Sequence, residues 1–410
     1  MKILIISQVF WPDTASVSQH LTDLAEELVR RKHEVFVLTS RKGYENPSIL
    51  YKWKEIHEGV TIDRIWQTGF SKSSMIGRMI NFLSFNLILF CRLLFLRKRQ
   101  YKTIIGLTSP PLVSFFGVII AKLKDSKFCY WTMDLQPELA IASGYLKKES
   151  IMAKLLLHLG NYIFKEAELI MTLDRYMADY IVQRGVSKEK IRINPVWPVM
   201  NDIYKDPVSD NPFRSEHKLK DKIVIMYSGN HAVVHPLDTL LKAAIMLKDD
   251  NRFIFVFIGG GVRKTDVTRM KTEYNLTNIL QLPYQEREKI HLSLGAADIH
   301  IVILGNGCTG FTHPNKIYGA MFIGRPIVYI GPKPSHITDI IAACPGNIGV
   351  EHGQVENLVE KFLLFADKSV EERIIIGLNN MEYANKNFGK FELINNLIKD
   401  IEKISDVEVS

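Results

Sequence analysis

The sequence predicts two consecutive α/β domains, each a parallel sheet flanked by helices. Three observations carry this prediction. Short runs rich in Ile, Val and Phe alternate with longer segments of helical periodicity along most of the chain. The alternation stops at 194–221, where Pro195, Pro198, Pro207 and Pro212 fall among Asn, Asp, Lys and Ser, and then restarts. The 410 residues are 47% hydrophobic and 23% charged, which suits two packed cores and excludes a disordered or fibrous chain.

In chain order, KILIIS (2–7) reads as a buried first strand. The opening MKILIISQVFWPD has one lysine and an apolar run too short for a secretory signal. A helix over 16–31 follows, with Val17, Leu21, Leu24, Leu28 and Val29 on one face and Ser16 with Gln19 as its capping box. EVFVLTS (34–40), TIIGLTS (103–109), KFCYWTM (127–133) and ELIMTLD (168–174) supply further strands. The uncharged run 103–121 contains Pro110 and Pro111, so it reads as strand, turn and helix rather than a membrane span. The second set of strands is KIVIMYSG (222–229), FIFVFIGG (253–260), NILQLP (278–283), DIHIVIL (298–304) and PIVYIG (326–331). A charged amphipathic helix over 391–404 closes the chain. The expected organisation is a first domain over 1–195, a linker over 196–221, a second domain over 222–387 and a terminal helix within 388–410.

The net charge of +8 is concentrated locally. No acidic residue lies between Asp63 and Asp125, while Arg64, Lys72, Arg78, Arg92, Arg97, Lys98, Arg99, Lys102, Lys122 and Lys124 do. Within 72–103, MINFLSFNLILFC is followed by Arg92, LLFL and RKR. Thirteen uncharged residues are too few to cross a bilayer, which takes about 20. A helix lying on an anionic membrane surface, apolar side chains in the headgroup boundary and cations on lipid phosphates, accounts for the pattern. A buried helix with a solvated basic end is the plainer alternative. Nucleic acid is disfavoured, because the cations are interleaved with Leu, Phe and Ile and no nucleic-acid-binding motif is present. Cys91, Cys129, Cys308 and Cys344 are far apart, which excludes a disulfide scaffold and fits a reducing cytoplasm.

Four segments carry candidate chemistry. In HPNKIYGAMFIGRPIVYIGP (313–332), His313, Pro314, Asn315 and Lys316 open a helix whose buried stripe includes Ile317, Ala320 and Met321. Pro314 suits the first turn, and Gly324 suits a left-handed cap. A cation in a first turn is unfavourable to the helix dipole, so an anionic ligand for Lys316 is attractive; a lysine simply reaching solvent is the alternative. In YSGNHAVVHPLDTLLKAA (227–244), Gly229 and Asn230 let backbone approach a ligand, with His231 and His235 in the loop and Pro236 as a first helical residue. Gly259, Gly260 and Gly261 make a tight turn after a strand, with Arg263 beyond it. In WTMDLQPELA (131–140), Asp134 and Glu138 stand at a C-terminal strand edge, where open α/β sheets bind ligands. They orient hydroxyls or accept a proton in one reading; in the other, Asp134 caps a helix and Glu138 pairs with a lysine. GNGCTG (305–310) matches a dinucleotide-type glycine pattern without its following carboxylate, so a dehydrogenase is weak. No Asp-x-Asp, P-loop or G-x-S-x-G occurs, and no spacing suggests a metal site.

These residues resemble glycosyltransferase family 4, in its bacterial branch that builds capsule, exopolysaccharide and O-antigen chains. The likeness rests on SGNHAVVHPLDTLL, on the Pro314–Lys316–Tyr318 helix start followed by GRP, and on DLQPE (134–138), and covers nearly the whole chain. It implies a GT-B fold: two Rossmann-like domains facing across a cleft, with the last helix returning to the first domain. It implies a nucleotide-diphosphate-sugar donor, UDP being the commonest, on the second domain. The donor side would comprise Gly229, Asn230, Gly259, Gly260, Gly261, Arg263, His313, Pro314, Asn315, Lys316 and Tyr318. A saccharide or lipid-linked acceptor would lie on the first domain near Ser16 and Glu138, with Asp134, His231 and Lys316 catalytic. Retention of configuration, no cofactor, no required metal and attachment to the inner face of the plasma membrane complete the expectation.

The sequence departs from the family pattern in places. The Glu-x7-Glu positions are Phe311 and Gly319, the Arg and Lys gripping the diphosphate are Asn230 and His235, and a first-domain histidine is Met133. Lys316 is therefore the candidate replacement cation. A UDP-sugar 2-epimerase and a degenerate GT-B scaffold subunit are the competing readings.

Overall fold

The computed structural model describes residues 1–44, 46–70, 75–198 and 210–406. The chain divides into two compact units: Met1–Val196 with Gly310–His313 and Lys390–Ser410, and Trp197–Thr309 with Pro314–Gly389.

The first unit holds eight strands: β1 (Lys2–Ile6), β2 (Glu34–Ser40), β3 (Lys54–His57), β4 (Val60–Ile65), β5 (Thr103–Leu107), β6 (Lys127–Trp131), β7 (Leu169–Thr172) and β8 (Ile191–Ile193). Their order in the sheet is β3-β4-β2-β1-β5-β6-β7-β8. All neighbours are parallel except β3 and β4. β5 and β7 are buried at every residue, the signature of strands covered on both faces. β3 and β4 form an unanticipated hairpin turned at Glu58 and Gly59, both at positive φ. Its outer strand KEIH is short and charged, which blunts the sheet edge.

The first helix spans Ser16–Arg30 as its periodicity predicts, burying Leu21, Leu24 and Leu28. The expected capping box does not form: Ser16 is already helical, and Gln19 donates to Thr14 O at 2.6 Å. The run 103–121 is indeed strand, turn and helix, since β5 is followed by the helix Val113–Lys124. The last helix, Lys390–Asp406, belongs to this unit. It buries Leu393, Ile394, Leu397, Ile398 and Ile401 and is tied down by Ser405–Thr103 (2.6 Å) and Arg192–Asp400 (3.2 Å).

The helix Met75–Leu94 has two apolar faces. Phe85, Leu89 and Leu93 enter the core, while Ile76, Met79, Leu83 and Leu87 are exposed on the opposite side. The buried-helix and surface-helix readings each describe one face. No helix among the described residues is long and apolar enough to cross a membrane. Of the basic segment 72–103, residues 72–74 lie outside the described residues.

The second unit is a six-stranded parallel sheet, with β9 (Ile223–Ser228), β10 (Phe253–Ile258), β11 (Ile279–Leu282), β12 (Ile299–Ile303), β13 (Ile327–Ile330) and β14 (Ile348–Val350) in the order β11-β10-β9-β12-β13-β14. The order in which strands are added reverses at β9, so the loops after β9, β10 and β12 surround the switch point where such sheets bind ligands.

The boundaries differ from the expected ones in three places. Of the linker 196–221, residues 199–209 lie outside the described residues, and the helix Pro212–Glu216 packs into the second unit through Phe213 and Arg214. Gly310–His313 joins the first unit. Of 388–410, the helix begins at Lys390 and residues 407–410 lie outside the described residues.

Candidate active site

In the second unit the site grows from Tyr227, the penultimate residue of β9. Its ring is buried, and its hydroxyl donates to Asn230 O at 2.9 Å, closing the loop that follows. Gly229 has φ +126, a backbone conformation that side chains rarely adopt. The Lys316 ammonium lies 3.7 Å from the centroid of the Tyr227 ring, and the His231 ring packs edge-on against it at 5.0 Å. The Gly259–Gly261 turn closes this arrangement from the β10 side. A Cβ at Gly261 would lie 2.3 Å from Asn230 Oδ1, so only glycine lets the two loops meet.

Lys316 is half-buried as a side chain, but its Nζ is sealed from solvent and has no hydrogen-bond partner among the described residues. Burial alone pulls its pKa down to about 7. His231 Nδ1 donates to Gly260 O at 3.1 Å, and Nε2 has no partner among the described residues. Burial, and secondarily the Lys316 charge, lower this imidazole to about 4. His235 is lowered to about 3 by the same two effects, and its Nδ1 is also unpartnered. Asn315 Oδ1 is a fourth buried polar atom left over. Unpartnered buried polar groups are costly and normally rare, so a cluster at the sheet's switch point marks a place for a polar ligand.

Other predicted donor residues have structural partners. Arg263 is held by Asp266 at 3.3 Å and Asp238 at 3.5 Å. Tyr318 is buried, with its hydroxyl 3.3 Å from His336 Nε2. Pro314 stands before Asn315, which takes the capping position, so the helix begins at Lys316. It runs only to Phe322, too short for a strong dipole, which leaves the Lys316 charge as the main attraction for an anion. Pro236 likewise precedes its helix, Asp238–Met246. Gly324 adopts φ +68 as its capping role requires, and Arg325 of GRP donates to Gly295 O at 2.8 Å, a structural role.

In the first unit, Asp134 follows β6. Thr312 donates to its Oδ1 at 2.6 Å, and its own N–H reaches Thr108 Oγ1 at 3.4 Å. Burial raises its pKa, against the Thr312 hydrogen bond. His313, expected on the donor side, belongs to this unit and bonds Asp174 through Nδ1 at 2.8 Å. Asp174 uses its other oxygen to cap the helix Arg175–Gln183. Phe311, at a family glutamate position, packs its ring on Tyr180 at 4.9 Å. Glu138 is buried and takes Tyr180 at 2.8 Å and Arg184 at 3.0 Å, so its carboxylate is a structural partner, to arginine rather than lysine. Ser16 is exposed, with Oγ 3.4 Å from His20 Nδ1.

Sequence reasoning missed Tyr227, Thr312 and Asp174. Tyr227 read as a strand residue, and only its neighbour Gly229 hinted at a functional turn. Thr312 and Asp174 gave no local signal, because each acts through a contact between residues distant in sequence.

Residues 17–197 match the family described as Glycosyl transferase 4-like domain. The chain is 24% identical over 416 residues to the putative colanic acid biosynthesis glycosyl transferase WcaI of Escherichia coli K12, covering 98% of this chain and 100% of that one. It is 25% identical over 260 residues to the probable glycosyltransferase WbjE of Pseudomonas aeruginosa, covering 63% and 64%. The structure of Anabaena Alr3699/HepE in complex with UDP-glucose superposes with a TM-score of 0.72 at 13% identity, over 98% of this chain and 100% of that one. That likeness shows the fold, GT-B, with its two Rossmann-like domains and terminal helix. Residues 17–197 thus resemble a glycosyl transferase 4-like domain, and the relative matched along its whole length is a putative glycosyl transferase.

Proposed function

We propose that the chain transfers a hexose from a UDP-sugar to a membrane-associated saccharide acceptor in cell-surface polysaccharide synthesis, with retention of configuration and without a metal ion. The observation that carries the donor half is the sealed, unpartnered ammonium of Lys316 beside the glycine turns at 229 and 259–261. A diphosphate there would pair with Lys316 and take hydrogen bonds from the Gly229 turn, while the bare His231 Nε2 would accept from a donor-sugar hydroxyl. The HepE complex with UDP-glucose and the colanic acid biosynthesis named for WcaI support the choice of donor and pathway.

In the reaction the anomeric C–O bond to the diphosphate breaks as the acceptor oxygen bonds the same face of that carbon. The acceptor proton passes to the departing phosphate oxygen. Lys316 spreads the charge growing on the diphosphate, which is the usual source of most of the rate enhancement. Asp134, positioned by Thr312, orients the acceptor hydroxyl. The exposed apolar stripe of Met75–Leu94 and its basic surroundings support attachment to the inner face of the plasma membrane.

A thermal-shift panel of UDP, GDP, ADP, TDP and CMP, with and without magnesium, tests the reading. Saturating ligand at 100 times its dissociation constant adds about 2.7 kcal/mol of stability. A shift with UDP that is independent of magnesium is expected. A shift that requires magnesium, or none with any nucleotide, would remove the proposal.

A further inference from the structure

The loops beyond β5 and β6 in the first unit enclose a cavity of about 120 Å³. Its walls are mainly hydrocarbon, from Leu107, Leu112, Leu146, Leu156 and Ile163. Leu107 and Ile163 are buried, while Leu112, Leu146 and Leu156 are half-buried, so one side opens outward. Leu112 has φ +72, an uncommon conformation for a branched residue. Gly160, inside the helix Ile151–Glu166, leaves the space unfilled: a Cβ there would meet nothing closer than Gln136 O at 3.9 Å. The cavity shares a wall with the candidate acceptor site, since Thr108 lines it and also bonds the Asp134 N–H.

The outer surface beside the opening repeats the apolar and basic pattern of Met75–Leu94. Tyr145, Ile151, Met152 and Leu155 are exposed, and so are Lys147, Lys148 and Lys154, with Glu149 the acid among them. The helix Val113–Lys124 packs against both Met75–Leu94 and Ile151–Glu166, so the two patches belong to one helical layer.

We propose that this cavity holds the first segment of the hydrocarbon chain of a lipid-linked saccharide acceptor. The inference rests on the transferase reading and names the chemical class of its acceptor. An apolar volume near 150 Å³ takes up a six-carbon hydrocarbon, so this one suits a short chain segment and strips a sugar of its hydrogen bonds. Exposed Lys147, next in sequence to the wall residue Leu146, complements the phosphate that joins lipid to saccharide. The chain thereby fixes the headgroup beside Asp134, and burial adds roughly fourfold in affinity per methylene until the cavity is full.

The test uses the full chain with butyl, octyl and dodecyl phosphate below their micellar concentrations, read by calorimetry. Affinity should rise at least tenfold from butyl to octyl phosphate in the wild type. Gly160→Leu, which fills the space, should abolish that rise while UDP binding and pelleting with phosphatidylglycerol liposomes persist. Ala140→Leu fills the same cavity from the short helix Glu138–Ala142 and serves if Gly160→Leu does not fold. Chain-length dependence that is absent in the wild type, or retained in the filled variants, overturns the proposal. Loss of liposome pelleting on filling would assign the cavity to bulk lipid and overturn it as well. Failure of UDP to bind the wild type would instead strike the donor reading, since the alkyl phosphate result does not depend on it.

Discussion

A lysine ammonium sealed over an aromatic ring with no anionic partner is costly in the free protein, and the cost sets the sign of two pH effects. Burial holds Lys316 near 7, far below its ordinary value. A bound diphosphate diester selects the protonated form. Affinity for UDP-glucose should therefore fall as pH rises from 7 to 9, approaching tenfold per pH unit, and be flat over that range in Lys316→Ala. The free protein should behave in the opposite way. Its unfolded state takes up the proton between pH 7 and the ordinary lysine range, so stability rises with pH across that window and this increment vanishes in Lys316→Ala. Titration calorimetry and thermal melts across pH read both. Asp134→Asn should lower turnover at least tenfold while leaving UDP affinity unchanged, because its carboxylate is assigned to the acceptor. His231→Ala should also lower turnover tenfold with UDP affinity little changed, because its Nε2 is assigned to the donor sugar. Near-wild-type rates would remove either residue from the site. Lys316, His231 and Asp134 stand out in the sequence because each follows a strand in a segment marked by glycine or proline. Tyr227 does not, because a tyrosine near the end of an apolar strand looks like core. For Arg263, Tyr318 and Glu138 the sequence shows a charge or hydroxyl but not the structural partners Asp266, His336 and Arg184.

At the scale of elements, strands and helices were read well where apolar periodicity was long. The β3–β4 hairpin was missed because KEIHEGVTIDRI mixes charge with only four strongly apolar residues on an edge. Met75–Leu94 shows a different limit. An apolar stretch predicts a helix, but not that one face enters the core while the other stays exposed. That division makes the proposed membrane attachment separable from folding. Leu83→Glu with Leu87→Glu should abolish pelleting with anionic liposomes at low salt. Thermal stability should change little, since exposed substitutions away from packed features usually shift it by less than about 0.5 kcal/mol each. Full pelleting of a folded double variant would exclude this helix as the attachment surface. The terminal helix was legible from its amphipathic pattern, and the resemblance implied its return to the first domain, where Ser405, Asp400 and Glu402 bond Thr103, Arg192 and His33.

At the scale of the whole molecule, the two α/β units were legible because each is a run of strand and helix alternation broken by one proline-rich stretch. The assignment of Gly310–His313 to the first unit was not, because it depends on Phe311, Thr312 and His313 meeting Tyr180, Asp134 and Asp174. The GRP segment, a clear mark of the resemblance, is structural through Arg325, whereas the unpartnered buried ammonium belongs to the less distinctive Lys316. The central claim is that Lys316 in the second unit has taken over the grip on the donor diphosphate. Calorimetric titration of UDP into the wild type and Lys316→Ala, each without magnesium, tests it most directly. The account predicts saturable binding by the wild type and at least tenfold weaker binding, about 1.4 kcal/mol, by the folded variant. Equal affinity in the two proteins would contradict it.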